Sequence, residues 1–355
     1  MMRRIKKIQK TYLRDEYSSL FITRQVSIRY LTGFSGSFAV LLITPGEAYF
    51  FTDFRYIERS RAEVKGAVIR KINGNFIEKL AKLPRKLLGK TMGFEADYIT
   101  VDTHRKLKEA FPHVKLIGLN GIVNRFSQIK DVEEIRLIEK SVQLTDSVFE
   151  EVVPLIRPGI SELDITAEID YLIKKKGGEG IAFNTIVASG PNSSMPHAVP
   201  TMRRIKPGDF VLMDFGAVYR GYHADFTRTV VVGKPTHKQS KVYAIVLKAQ
   251  KAAIRAARAG ISCSDLDSRA RRIIEREGYG PQFGHSLGHG IGLAIHEEPR
   301  VSASNDALLK RGMVTTIEPG IYLPGWGGVR IEDVVVIEKE NSRTLTRSPK
   351  HLISL

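Results

Sequence analysis

The chain carries one cysteine in 355 residues, Cys263, and that scarcity removes several classes of protein at once. A single thiol permits no intrachain disulfide framework and no multi-cysteine metal site. A reducing cytoplasm suits such a chain. Long apolar runs are missing too: no stretch approaches the roughly 20 apolar residues of a membrane span. The start, MMRRIKKIQKTYLRDEYSS, is basic and lacks the apolar core of a secretory signal. The expectation is a soluble cytoplasmic protein with no membrane partner.

Acid is scarce in the first third. Residues 1–128 hold 24 Lys and Arg against 11 Asp and Glu, while residues 129–355 hold 31 against 27. The net charge of +17 is therefore concentrated near the N-terminus. Lysines interspersed along helices read as a solvated face, and neither an RNA-binding aromatic motif nor a zinc finger accompanies them. No specific nucleic-acid partner is expected, although this charge permits weak nonspecific contact with polyanions.

What is present fits an α/β (α+β) protein of two domains. SLFIT (19–23), FAVLLIT (38–44) and EAYFFTD (47–53) read as strands, the last two joined by Pro45-Gly46. YIERSRAEV, FIEKLAKLPRKL and THRKLKEAF carry helical spacing, interleaved with short strands near Met92–Phe94 and Val114–Ile117. Asp131, with Glu134 three residues on, forms a capping-box signal for a long amphipathic helix that Arg157-Pro158-Gly159 stops. The boundary falls there, giving a small domain over 1–128 and a larger one over 129–355. Further helices are expected at about 161–176, 237–258 and 264–277.

Within the larger domain one pattern occurs twice. KPGDFVLMDFG (206–216) and KRGMVTTIEPG (310–320) both run from a turn through an apolar strand to a carboxylate and a second turn. Each is followed by another strand bearing an acid, Asp225 and Glu332. If the two copies face one another, Asp214, Asp225, Glu318 and Glu332 converge. Buried carboxylates repel unless something positive sits among them. Arginines, a shared proton or a metal can serve. Arg228 and Arg330 can pair with one acid each but cannot neutralise four, whereas two divalent cations can. The plain alternative is four separate strand-end acids capping turns. FGHSLGHGIGLAIHEEP (283–299) offers an imidazole. His285 and His289 are four apart, but the glycines around them oppose a helix and favour an extended segment that approaches a metal closely. One imidazole with four carboxylates suits Mn, Co, Fe or Zn.

The ordered set Asp214, Asp225, His289, Glu318, Glu332 resembles the ligand set of the pita-bread metallopeptidases, which include methionine aminopeptidase, aminopeptidase P and prolidase. His285-Ser-Leu-Gly-His289-Gly-Ile-Gly-Leu-Ala-Ile-His296-Glu297 is similar to the proline-peptidase signature. SGPNSSMPHAVP (189–200) resembles the segment bearing a substrate-binding histidine, here His197, with Ala198 where glycine is usual. YLTGFSGSFAVLLIT and TDFRY resemble the N-terminal domain of prolidases and aminopeptidases P, so the likeness spans nearly the whole chain.

The resemblance implies a creatinase/prolidase-like N-terminal domain and a pita-bread catalytic domain of two pseudo-symmetric halves. It implies two divalent metal ions: Asp214 binds one, His289 and Glu318 the other, and Asp225 and Glu332 bridge. Glu318 then shuttles the water proton, His197 and His296 contact the scissile carbonyl, and His285 and Arg300 are substrate-binding. An Xaa-Pro bond lacks an N–H and needs a dedicated pocket. Arg300 stands where a dipeptidase needs a partner for the free carboxylate, or it pairs with Glu297 or Glu298. The expectation is an Xaa-Pro dipeptidase (prolidase); an aminopeptidase P acting on longer peptides is the alternative, and a non-catalytic binding protein a third. The family also implies a homodimer, with Arg55 or Tyr56 reaching the partner's site.

Overall fold

The computed structural model describes residues 2–13, 17–74 and 76–355, and the chain divides into units of residues 1–127 and 128–355. The first unit is built on β1 (Ser19–Ile22), β2 (Val40–Ile43), β3 (Ala48–Thr52), β4 (Val68–Lys71), β5 (Thr91–Glu95) and β6 (Lys115–Leu119). They form one mixed sheet in the order β4-β3-β2-β1-β5-β6. Every position of β1 and β2 is buried, which is why they read as unbroken apolar runs. Strand alternation puts Phe21, Val40, Leu42 and Phe51 together against Ile77 and Leu80 of helix Phe76–Ala81 and Leu107 of helix Val101–Ala110.

Two elements of this unit depart from the sequence reading. FIEKLAKLPRKL is not one helix but two, Phe76–Ala81 and Arg85–Leu88, because Pro84 donates no hydrogen bond and its ring blocks the turn before it. The basic start is itself a helix, Met2–Tyr12, with Ile5, Ile8 and Tyr12 buried along one face. Arg55 and Tyr56 have partners inside the unit: the Arg55 guanidinium forks onto Asp53 at 2.7 and 3.1 Å, and the Tyr56 hydroxyl lies 2.5 Å from Ser37 Oγ.

The second unit repeats one design. Strands Ile186–Ser189, Phe210–Asp214 and Thr227–Val231 form an antiparallel sheet. Val211, Met213 and Val230 of that sheet pack on Val148 and Phe149 of helix Val132–Val152 and on Ile165 and Ile169 of helix Glu162–Lys175. The other sheet contains Glu297–Val301, Gly288–Gly290, Val314–Ile317, Asp333–Ile337 and Ser342–Thr344. Its Ile317, Val335 and Ile337 pack with Val242, Val246 and Ala249 of helix His237–Ala256 and Leu266 and Ala270 of helix Cys263–Arg276. The helix opening at Asp131 has the full capping box: the Glu134 N–H donates to Asp131 Oδ1 at 2.9 Å and the Asp131 N–H to Glu134 Oε2 at 3.1 Å. Such a cap contributes about 1 kcal/mol. Among the described residues no helix is long and apolar enough to cross a membrane.

Candidate metal centre

Alternation along the strands delivers the acids. In Phe210–Asp214, Val211 and Met213 enter the helix-covered core, which leaves Leu212 and Asp214 on the opposite face. Asp225 is buried two residues before strand Thr227–Val231. In the other half Glu318 directly follows Val314–Ile317 and Glu332 directly precedes Asp333–Ile337. The halves are sewn together here: the Glu332 N–H donates to Thr227 O at 3.1 Å, and Thr227 Oγ1 donates to Glu332 Oε2 at 2.7 Å.

His289 is the middle residue of the short strand Gly288–Gly290, so the glycine-rich segment is extended as expected. The glycines have a different use from the expected approach of backbone to metal. A Cβ on Gly288 would lie 2.0 Å from Thr316 O, and one on Gly290 would lie 2.4 Å from Glu298 O. They let the flanking strands close on His289.

One ligand atom each from Asp225, His289 and Glu332 lies within 4.8 Å of the other two. His289 Nδ1 sits 3.0 Å from Gly290 O and donates to it, which leaves Nε2 as the free nitrogen. That Nε2 is 3.3 Å from Asp225 Oδ2 and 3.4 Å from Glu318 Oε1. Glu318 Oε1 also accepts from Thr316 Oγ1 at 2.9 Å. Asp214 is held from the side by Arg330, whose Nη2 is 2.5 Å from Oδ2. The same guanidinium donates to Tyr322 Oη at 2.7 Å and to Thr227 Oγ1 at 3.1 Å. The Arg228 guanidinium pairs with Asp333 at 2.8 Å and reaches the cluster only through the backbone carbonyl of Glu332.

The charges show how unbalanced this group is. Burial, opposed by Arg330 and reinforced by Asp225 and Glu318, pushes Asp214 up to about 7. Burial likewise raises Glu318, against the pull of His289, and drives Glu332 well above the carboxylate range with the help of Asp225. For His289 burial opposes the charged form, yet the hydrogen bond to Asp225 and the charge of Glu318 outweigh it and lift the imidazole to about 9. Two buried oxygens, Asp214 Oδ1 and Glu332 Oε1, have no hydrogen-bond partner. Orphaned acceptors amid surplus negative charge fit a cation, and oxygen donors with one imidazole fit a divalent one.

Around this group lie the other expected residues. His296 meets His289 edge to face with ring centroids 4.4 Å apart. Although His296 is exposed by surface area, desolvation of its ring beside the cluster and the nearby charge of His289 lower it. His197 is exposed, yet near enough for its charge to lower both His285 and His296. Both ring nitrogens of His285 are engaged within the protein: Nδ1 lies 2.8 Å from Ser286 O and Nε2 3.0 Å from Tyr322 Oη. Burial, with the Arg330 charge, depresses it to about 4.

Arg300 is the direct cross-strand neighbour of His289 and therefore lies on the His289 face. Of its suggested partners, Glu297 takes Lys130 at 2.9 Å, and Glu298 accepts from the Arg300 backbone N–H, not its guanidinium, at 3.0 Å. Tyr322 and Lys130 were missed by sequence reasoning. No spacing marks either, and Lys130 finds Glu297 across 167 positions.

A domain of two similar halves that gathers carboxylates and an imidazole where they join is the arrangement of the pita-bread metallopeptidases. The chain belongs to metallopeptidase family M24, whose model matches residues 136–339, and residues 4–129 match the Creatinase/Prolidase N-terminal domain. It is 38% identical over 354 residues to an Xaa-Pro dipeptidase of Pyrococcus furiosus, covering 99% of this chain and 100% of that one. Among solved structures it resembles an Xaa-Pro dipeptidase from Bacillus anthracis, with TM-score 0.97, 39% identity and coverage of 100% and 99%. An X-Pro aminopeptidase from Thermotoga maritima superposes with TM-score 0.91 at 38% identity, covering 96% of this chain and 98% of that one.

Proposed function

We propose that the chain is a cytoplasmic Xaa-Pro dipeptidase using two divalent cations, Mn, Co, Fe or Zn. The observation that carries this reading is the convergence of Asp225, His289 and Glu332 within 4.8 Å, with two orphaned carboxylate oxygens beside them. Asp214 would hold one cation, His289 and Glu318 the other, and Asp225 and Glu332 both. When bound, the cations supply a water of lowered pKa and polarise the scissile carbonyl.

The chain's own residues do the rest. Glu318 accepts the water proton and returns it to the proline nitrogen, which has no hydrogen of its own and must gain one to leave. His296 and His197 donate hydrogen bonds to the oxygen that gains charge as the carbonyl is attacked. His285 forms the wall of the pocket, with Tyr322 donating to its Nε2. Arg300, opposite His289 and with no ion pair from its guanidinium to Glu297 or Glu298, pairs with the substrate's terminal carboxylate. A fixed carboxylate partner favours dipeptides over longer chains. The same reading takes the working form to be a homodimer, which sedimentation checks.

The test is kcat/KM for Met-Pro and Met-Pro-Ala after chelation and restoration with Mn²⁺ or Co²⁺. A preference for Met-Pro that disappears in Arg300→Ala is expected. A preference for Met-Pro-Ala would replace the dipeptidase with an aminopeptidase P. Cleavage of neither, with any of the four metals, would overturn the catalytic reading in favour of a binding protein.

A further inference from the structure

Glu162 is fully buried, opens helix Glu162–Lys175 and belongs to no part of the metal cluster. Its carboxylate nevertheless accepts six hydrogen bonds. Oε1 takes the Ser189 N–H at 2.7 Å, Ser189 Oγ at 2.8 Å and Asn192 Nδ2 at 3.0 Å. Oε2 takes the Thr201 N–H at 3.0 Å, Thr201 Oγ1 at 2.7 Å and Asn192 Nδ2 at 3.2 Å. Ser189 and Thr201 are the two ends of the loop that carries His197, and Asn192 lies inside it. One side chain thus closes the loop at its base.

The loop's other side rests on strand Gly327–Arg330. The Gly328 N–H donates to Ser193 Oγ at 2.9 Å, and Arg330 Nη1 donates to the carbonyl of Pro196, next to His197, at 3.3 Å. The loop is therefore gripped between a buried acceptor and the arginine that also holds Asp214.

We propose that Glu162 is the positioning residue of the substrate loop, fixing residues 189–201 so that His197 is presented to the scissile carbonyl. This rests on the role given to His197 above. A carboxylate suits the task because both oxygens only accept, and every group aimed at them donates. An amide of the same shape turns one end into a donor facing donors. The helix N-terminus beneath it also favours negative charge.

The test is Glu162→Gln, read in three ways on the full chain. Backbone amide exchange across 190–200 is expected to rise at least about tenfold, with no change in the strands of either half. Affinity for Mn²⁺ by titration calorimetry is expected to stay unchanged. The loss in kcat/KM, about 10- to 100-fold, is expected to shrink to under about threefold when introduced into His197→Ala, since both changes act through one group. Unchanged exchange in the loop, or an equal loss in both backgrounds, would overturn the proposal. If Glu162→Gln does not fold, Thr201→Val removes one of the six bonds, that from Thr201 Oγ1; its exchange increase must be confined to the loop, and no increase there counts against Glu162. A His197→Ala variant with full kcat/KM would instead overturn the role of His197, and the exchange result would decide for Glu162 alone.

Discussion

Asp225 is only 6% exposed and lies 3.3 Å from His289 Nε2, in the same small volume as Glu332. Removing its charge takes a carboxylate from the group at its most crowded point. Asp225→Asn is expected to lower affinity for Mn²⁺ by more than the about 10- to 100-fold that a lost outer partner costs, and to abolish peptidase activity. Metal content after dialysis and circular dichroism check this, and full activity in the variant would rule the centre out.

His285 gives a second prediction, with its own pH window. Its folded pKa is depressed from 6.5 to about 4, so below pH 6.5 the unfolded chain takes up a proton that the folded chain refuses. The contribution of the neutral imidazole is present above pH 6.5 and is lost as pH falls towards 4, on the order of 3 kcal/mol in all. Urea unfolding between pH 7 and 4.5 should show a shallower loss in His285→Gln than in the unaltered chain.

Several segments around the candidate site are held by a charged residue on a neighbouring element. Arg271, paired with Asp267, donates to the carbonyls of Phe283 and His285, each at 2.8 Å. Glu297 accepts from Lys130 with one oxygen and from the Ala294 N–H at 3.0 Å with the other, fixing the turn that bears His296. The Lys130 side chain is 2% exposed, so Lys130→Met strands a half-buried carboxylate. A loss of about 3 to 5 kcal/mol is expected, measured by denaturant midpoint, with part recovered in the Lys130→Met, Glu297→Gln double variant. An undiminished midpoint would mean that the pair does not hold the turn.

These clamps also explain what was legible beforehand. Helices with caps and periodic apolar faces were readable, since the signal lies within about twenty consecutive residues. The four acids were readable because the KPG…DFG and KRG…EPG frames repeat and each acid ends or precedes an apolar strand. Glu162, Lys130 and Tyr322 were not, because Ser189 and Thr201 lie 27 and 39 positions from Glu162, Glu297 lies 167 from Lys130, and His285 lies 37 from Tyr322. In the helix Met2–Tyr12 the spacing of Ile5, Ile8 and Tyr12 is masked by the basic residues between them.

At the scale of the whole molecule, the candidate metal centre lies where the two halves of the second unit meet, so its charge state bears on the stability of the entire unit. Asp214 is raised from 3.8 to about 7 and His289 from 6.5 to about 9. For Asp214 the folded, metal-free chain retains a proton that the unfolded chain has released, so stability falls as pH rises from about 4 to 7. For His289 the contribution is complete below 6.5 and is lost as pH rises through 9. These two groups act in one direction, weakening the metal-free protein from acid towards alkali, whereas His285 acts the other way below pH 6.5.

Divalent cations bind the deprotonated ligands, so the protons must leave first and affinity climbs over the same window. Stabilisation by a ligand grows with its concentration relative to Kd. The gap in Tm between Mn²⁺-loaded and chelated protein should therefore widen from pH 5.5 to pH 8.5. In Asp225→Asn the gap should nearly close at every pH. A gap that is constant with pH in the unaltered chain would mean that the cation does not replace protons at these carboxylates. The ligand assignment would then have to move away from the junction of the two halves.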